Sequence, residues 1–184
     1  MPVGENDRRI VILTDKRGKI SAFAHGARKP KSQFVSVSNP FVTGTFTLYE
    51  GRTSYNLKEA KADTYFETLT KNLDAVWMGY YFLEIADHFS FENNDEKDRL
   101  ILLYKALKAL EAGRIPIGLI RAVYELKTMA VNGDYRRGDE PSLHESARYA
   151  IDHVLKSPSK DVFSFSLNEK AMDDFCGHIN RQFK

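Results

Sequence analysis

The sequence predicts an α+β chain: a small β-sandwich or barrel in the first third, then an all-helical remainder. Three observations carry this prediction. Short β-branched or alternating stretches separated by glycine turns fill residues 1–62. A 3.6-residue apolar period replaces them from about Phe66 onward. The charge divides at nearly the same place. Residues 1–60 hold ten Lys/Arg against five Asp/Glu, a net of +5, and the remaining residues hold 17 against 20, a net of −3. The period switches between residues 62 and 68, which gives domains at 1–64 and 65–184.

Arg9 to Thr14 (RIVILT) is almost entirely apolar and is expected to be covered on both faces or closed into a barrel. Asp15-Lys16-Arg17-Gly18 turns the chain, and Lys19 to His25 returns as the second arm. Pro40 and Gly44 bound the next break. In Thr45–Glu50, Phe46 and Leu48 are out of phase with Thr47 and Tyr49. Gly51-Arg52 turns again, and Ser54–Ala62 follows with Tyr55 and Leu57 on one face. That makes four clear strands.

In the helical part, Leu69, Leu73, Val76, Trp77, Tyr80 and Leu83 form one stripe. Met78, Tyr81, Phe82 and Ile85 form a second beside it. A helix apolar around so much of its circumference is expected to be the central one of a bundle. Leu100, Leu103, Tyr104, Leu107 and Leu110 mark the next helix, stopped at Gly113. Pro116 suits the first turn of another, which carries Ile120, Val123, Tyr124 and Lys127. Ser142 with Glu145, and Ser166 with Glu169, read as capping boxes for two further helices.

Composition excludes several classes. The single cysteine, Cys176, rules out an internal disulfide and a multi-cysteine zinc site. No apolar run approaches the roughly 20 residues of a membrane span. The segment MPVGENDRR lacks the apolar core of a signal peptide, so a cytoplasmic location is expected.

The basic residues of the front domain are the main candidates for chemistry. Lys16, Arg17 and Lys19 sit at one hairpin. Arg28, Lys29 and Lys31 follow the strand that leaves it, around a stiffening Pro30. The two clusters are expected to converge at one end or face of the barrel, where each phosphate contact would release counterions. Phe23, Phe34, Phe41, Tyr49 and Tyr55 are candidate stacking faces. The competing reading is that the cations solubilise turns and the aromatics fill a core. Elsewhere, Asp87, His88, Glu92, Asp95 and Glu96 have metal-ligating chemistry and raise the reading of a metal-dependent nuclease. The same segment, ADHFSFENNDEK, reads better as an exposed interhelical loop. The histidines are dispersed without an HExxH pair, the glycines form no phosphate loop, and Cys176 has only His178 nearby in sequence.

Several segments in order resemble the RecO family of DNA repair and recombination mediators. They are Gly4-Glu5-Asn6-Asp7, the strand Ile10–Thr14, Gly18-Lys19-Ile20 and the loop Gly26-Ala27-Arg28-Lys29-Pro30-Lys31-Ser32. Asn39-Pro40-Phe41, Leu48-Tyr49, Leu57-Lys58-Glu59-Ala60, Tyr81-Phe82-Leu83-Glu84, Tyr124-Glu125-Leu126-Lys127 and Asn132-Gly133 continue the pattern. The resemblance implies an N-terminal OB-fold followed by a helical domain. It implies a non-enzymatic role without metal or cofactor in the cytoplasm, at the nucleoid. That role is binding single- and double-stranded DNA, annealing complementary strands, and helping RecR and single-stranded-DNA-binding protein (SSB) load RecA. On this basis Arg17, Lys19, Arg28, Lys29, Lys31 and Arg52 are the expected DNA contacts. The alternative implied by the same resemblance is a protein-interaction module that binds the SSB tail with weak or lost DNA binding.

Two departures from the family pattern are visible. Members usually carry a further strand before the Gly-Glu-x-Asp turn, so the OB-fold is expected to be incomplete, with an open edge. Many also carry a four-cysteine zinc module after the Asn-Gly-Tyr segment. Here Tyr135-Arg136-Arg137-Gly138-Asp139-Glu140-Pro141 passes straight on toward the next helix, and no zinc is expected.

Overall fold

The computed structural model describes residues 1–52, 54–136, 138 and 143–183. The chain divides into two compact units. One comprises Met1–Glu67 with Ser90–Lys97, and the other Thr68–Phe89 with Asp98–Lys184.

The first unit is an open five-stranded mixed sheet. Its strands are β1 (Pro2–Val3), β2 (Asp7–Leu13), β3 (Lys19–Ala24), β4 (Thr43–Glu50) and β5 (Tyr55–Thr64). Their spatial order is β1-β2-β3-β5-β4, with every neighbouring pair antiparallel except β3 and β5. The sheet followed by helices is the OB-like-plus-helical architecture that the sequence predicts. β1 is a fifth strand that the sequence reading did not count. Two residues cannot display an alternation, yet Met1 extends the ladder. Its ammonium donates to Arg9 O at 2.7 Å and its carbonyl accepts from Arg9 N at 2.8 Å. β1 and β4 form the two edges, so the sheet stays open.

β2 is not covered on both faces. Val11 is 55% exposed, because only one side of the sheet packs. That side holds Ala24, Ala27 and Leu57, with Ile10, Phe34, Phe46, Leu48 and Ala60 packed against them. Phe34 comes from a single-turn helix, α1 (Phe34–Val37), in the stretch read as a break between strands. Four residues are too few to show a helical period.

Residues 90–97 do not form a free interhelical loop. Phe91 O accepts from Lys19 N at 3.1 Å, Asn93 N donates to Arg17 O at 2.9 Å, and Glu96 N donates to Asp15 O at 3.0 Å. This segment therefore caps the β2–β3 hairpin through backbone bonds. Gly18, at φ +64°, permits the approach; a Cβ there would lie 1.9 Å from Phe91 O.

The second unit contains a 3₁₀ turn (Leu69–Lys71) and helices α2 (Leu73–Phe89), α3 (Lys97–Ala112), α4 (Ile117–Asn132), α5 (Glu145–Lys156) and α6 (Glu169–Gln182). The central helix is α4, not α2. Residues 122–129 of α4 are buried without a break, and α4 packs against α2, α5 and α6. In α2 the first stripe faces outward, with Leu73 70% and Trp77 68% exposed, while Ala75, Gly79, Phe82, Ile85 and Ala86 are buried. The Phe82 and Tyr124 rings meet at 4.3 Å between centroids, and Tyr124 donates to Phe82 O at 3.1 Å.

Gly113 follows α3 at φ +62°, as its position predicts. The caps differ from the expected boxes. α6 is capped by Asn168, whose Oδ1 accepts from Ala171 N at 2.9 Å, rather than by Ser166. α5 is capped by His144, whose Nδ1 accepts from Ser146 N at 3.1 Å. Ser142 lies outside the described residues.

Candidate nucleic-acid interface

The basic loop after β3 is the best-defined part of the candidate surface. Its backbone is fixed before any ligand arrives. Gly26 N donates to Asp7 Oδ1 at 2.7 Å, Arg28 N to Asn6 O at 2.9 Å, and Lys29 N to Gly26 O at 3.0 Å. Gly26 sits at φ +69° and Lys31 at φ +66°, both left-handed. Pro30 between them holds its own φ. Arg28, Lys29 and Lys31 are all exposed on this frame. Arg28 Nη1 donates to Gly4 O at 3.2 Å, which steadies the guanidinium against a neutral acceptor and leaves its charge uncancelled there.

The two basic clusters do not converge at one end. β3 separates them, and its six residues span about 20 Å. Arg17 and Lys19 flank the hairpin at the start of β3; Arg28, Lys29 and Lys31 follow its end. Arg52 joins the first group. β3 and β5 run parallel with Ala22 level with Tyr55, so the turn just before β5 lies at the hairpin end of the sheet. The backbone bonds of the capping segment also bring Glu92, Asp95 and Glu96 to that end. The loop end has a carboxylate of its own, Asp7, which accepts from Gly26 N and lies within electrostatic reach of Lys29.

At the loop end of β3 lies a cluster absent from the sequence reading. His25 Nδ1 lies 2.8 Å from Asp7 Oδ2, and its Nε2 lies 2.9 Å from Asn56 Oδ1. The Asn56 amide nitrogen donates to Ser54 O at 3.4 Å, which turns Oδ1 toward the ring. Both ring nitrogens thus face acceptors, the arrangement of a charged imidazolium. The Asp7 hydrogen bond, then that of Asn56, raises the His25 pKa. Asp7 is held below its ordinary value by Gly26 N–H and then by His25. The period-2 spacing of Phe23 and His25 was the available signal for their shared face. The Asp7 partnership follows from the register of the β2–β3 hairpin, and that of Asn56 depends on the β3–β5 register, for which there was no signal.

The structure also sorts the five candidate stacking aromatics. Phe41 is buried and Phe34 packs into the core. Tyr55 is level with buried Ala22, which assigns it to the packed side. Phe23 and Tyr49 are on the other side, with Tyr49 50% exposed.

The remaining candidates gain no site. Asp87 and His88 end α2, whereas Glu92 bridges to Gly18. Among the described residues no group of three His, Cys, Asp or Glu side chains could hold a metal ion. Burial raises the Cys176 pKa, which disfavours the thiolate. No helix among the described residues is long and apolar enough to cross a membrane.

An open OB-like sheet with a preorganised basic loop, joined to a helical unit, defines the architectural class of this chain. Residues 1–66 match the family described as Recombination protein O N terminal. The chain is 32% identical over 130 residues to DNA repair protein RecO of Clostridium perfringens strain 13, covering 70% of this chain and 52% of that protein. It is 31% identical over 130 residues to the Alkaliphilus metalliredigens protein of the same name, covering 71% and 53%. DNA repair protein RecO of Acetivibrio thermocellus aligns over 98% of this chain and 84% of its own length, at 23% identity. The N-terminal match and the alignments along the chain support the RecO family. The alignments to the C. perfringens and A. metalliredigens proteins span about half the length of those relatives.

Proposed function

We propose that this chain acts in DNA repair and recombination as a non-enzymatic DNA-binding and strand-annealing protein. The observation that carries the reading is the loop 26–32, where three exposed cations stand on a backbone already fixed by hydrogen bonds to Asn6, Asp7 and Gly26. Such a loop loses little entropy on engaging phosphates. It reads charge and spacing, not base identity, so binding is independent of sequence. Arg28, Lys29 and Lys31 make the principal phosphate contacts, and Arg17, Lys19 and Arg52 extend the track at the opposite end of β3.

Annealing follows from the same chemistry. Cations along the sheet reduce repulsion between two strands while leaving base edges free to pair. In this reading RecR and SSB are partners, SSB presenting the strand to be loaded, and co-purification with each tests that part.

The experiment for the binding reading is an affinity titration against salt. Replacing Arg28, Lys29 and Lys31 by Ala is expected to weaken single-strand binding and flatten the log–log salt slope by about 2, at roughly 0.7 per lost phosphate contact. A folded triple variant with unchanged affinity and slope removes the loop from the interface.

A further inference from the structure

The solvent side of the sheet carries a line of side chains that the basic loop does not explain. Arg9 is opposite Phe23 across β2 and β3, Phe23 is level with Asn56 across β3 and β5, and Asn56 is opposite Tyr49 across β5 and β4. Paired residues project to one face, so these four side chains form a row across four strands. Tyr49 lies two strand spacings from Phe23, about 10 Å. His25, next along β3 on the same face, stacks on Phe23 with ring centroids 6.1 Å apart and planes 16° from parallel. Arg9 Nε donates to Ser21 Oγ at 2.6 Å, which steadies its guanidinium at the end of the row.

The solvent side of a half-buried sheet is ordinarily polar, so two aromatic rings aligned there need a reason. Core packing does not supply it, because the apolar cluster lies on the opposite side. We propose that the Arg9–Phe23–Asn56–Tyr49 row, with His25, is a stacking platform for the unpaired bases of single-stranded DNA. This platform, rather than the basic loop, then makes the chain prefer single strands to duplex. The proposal rests on the DNA-binding reading above.

Three arguments select this occupant. Tyr49 is exposed and Phe23 half-buried; an aromatic face open to solvent suits any base, since every base has a π surface, and a duplex hides those surfaces within its own stack. The row ends in Arg9 and crosses the strands with the basic loop on one side of it and the hairpin cations on the other, so a polyanion laid along the row lies between two sets of cations. Tyr49 and Phe23 are separated across the strands, so different bases of one extended chain meet separate rings.

The test is an equilibrium titration of the full chain with three labelled probes: oligo-dT, a phosphodiester chain of equal length without bases, and a duplex. The proposal expects oligo-dT to bind at least about fivefold more tightly than the abasic chain, the lower end of the range for one stacked base. A Phe23→Leu/Tyr49→Leu variant is expected to bind oligo-dT only as tightly as the abasic chain, with abasic and duplex affinities unchanged. Leucine keeps the apolar bulk; the comparison of probes on the unaltered chain stands even if the variant fails to fold. Equal affinity of the unaltered chain for oligo-dT and abasic chain overturns the platform and leaves DNA binding standing. Full oligo-dT affinity in the folded variant does the same. Failure to bind any of the three probes overturns both.

Discussion

His25 shows how one residue ties the sheet together. Its ring bridges Asp7 at the start of β2 and Asn56 on β5. Among the described residues the β3–β5 seam pairs Ala22 with Tyr55 and Phe23 with Asn56, and the ring adds a side-chain bridge across it. The other charged group at the bridge is Lys29, which favours the ionised Asp7. The folded-state pKa of His25 is raised above its ordinary 6.5, so the bridge contributes fully below that value and is lost as pH rises through the folded value. Asp7 is lowered from 3.8, so its contribution is present above that value and disappears as pH falls through the folded one. The bridge is strongest between these limits. Urea midpoints of the chain and of a His25→Gln variant are expected to differ most near pH 5.5 and to approach each other by pH 9. A difference independent of pH would show that the ring is not charged in the folded protein. Asn56 was not legible as a partner of His25. Asp7 faces His25 through the β2–β3 hairpin, whose register its turn fixes, whereas Asn56 meets it through the parallel β3–β5 pairing, which no turn specifies.

At the scale of elements, the four longer strands and five longer helices were legible because each has enough residues to display its period. β1 and α1 have two and four residues and display none. The more instructive error is the choice of central helix. α2 is rich in aromatics on several sides, but Trp77 and Leu73 are solvent-facing. α4 reads as less apolar because Glu125, Lys127 and Thr128 interrupt it, yet all three are buried. The two charged residues have specific partners. Tyr81 donates to Glu125 Oε1 at 2.6 Å, and Lys127 Nζ donates to Val154 O at 3.2 Å and Ser157 O at 2.7 Å, satisfying carbonyls at the end of α5. Hydropathy patterning does not see such pairings. The hairpin cap is a second element-scale feature hidden from pattern reading. Gly18 accommodates both a left-handed φ and the Phe91 carbonyl, and a methyl group there meets backbone that cannot swing aside. Gly18→Ala is expected to destabilise the chain by about 2 kcal/mol or more, from backbone strain together with the lost contact. A denaturation midpoint unchanged by that substitution would mean that residues 90–97 do not cap the hairpin in solution.

For the whole molecule, the charge asymmetry visible in the sequence corresponds to a division into a sheet unit and a helical unit. The division is not a simple cut. Residues 90–97 come from the helical half of the sequence and belong to the sheet unit, bringing three carboxylates to the hairpin end of an otherwise basic region. Both ends of β3 therefore combine cations with carboxylates, which makes electrostatics the quantity to test. Annealing of complementary oligonucleotides demands more than adhesion to a polyanion, because two strands must be held without their bases being blocked. The account predicts that the chain accelerates annealing at low salt, with neither nucleotide nor divalent metal added, that EDTA leaves the rate unchanged, and that the acceleration fades as salt rises. Annealing no faster than that of protein-free strands, under conditions where circular dichroism shows the chain folded, would contradict it.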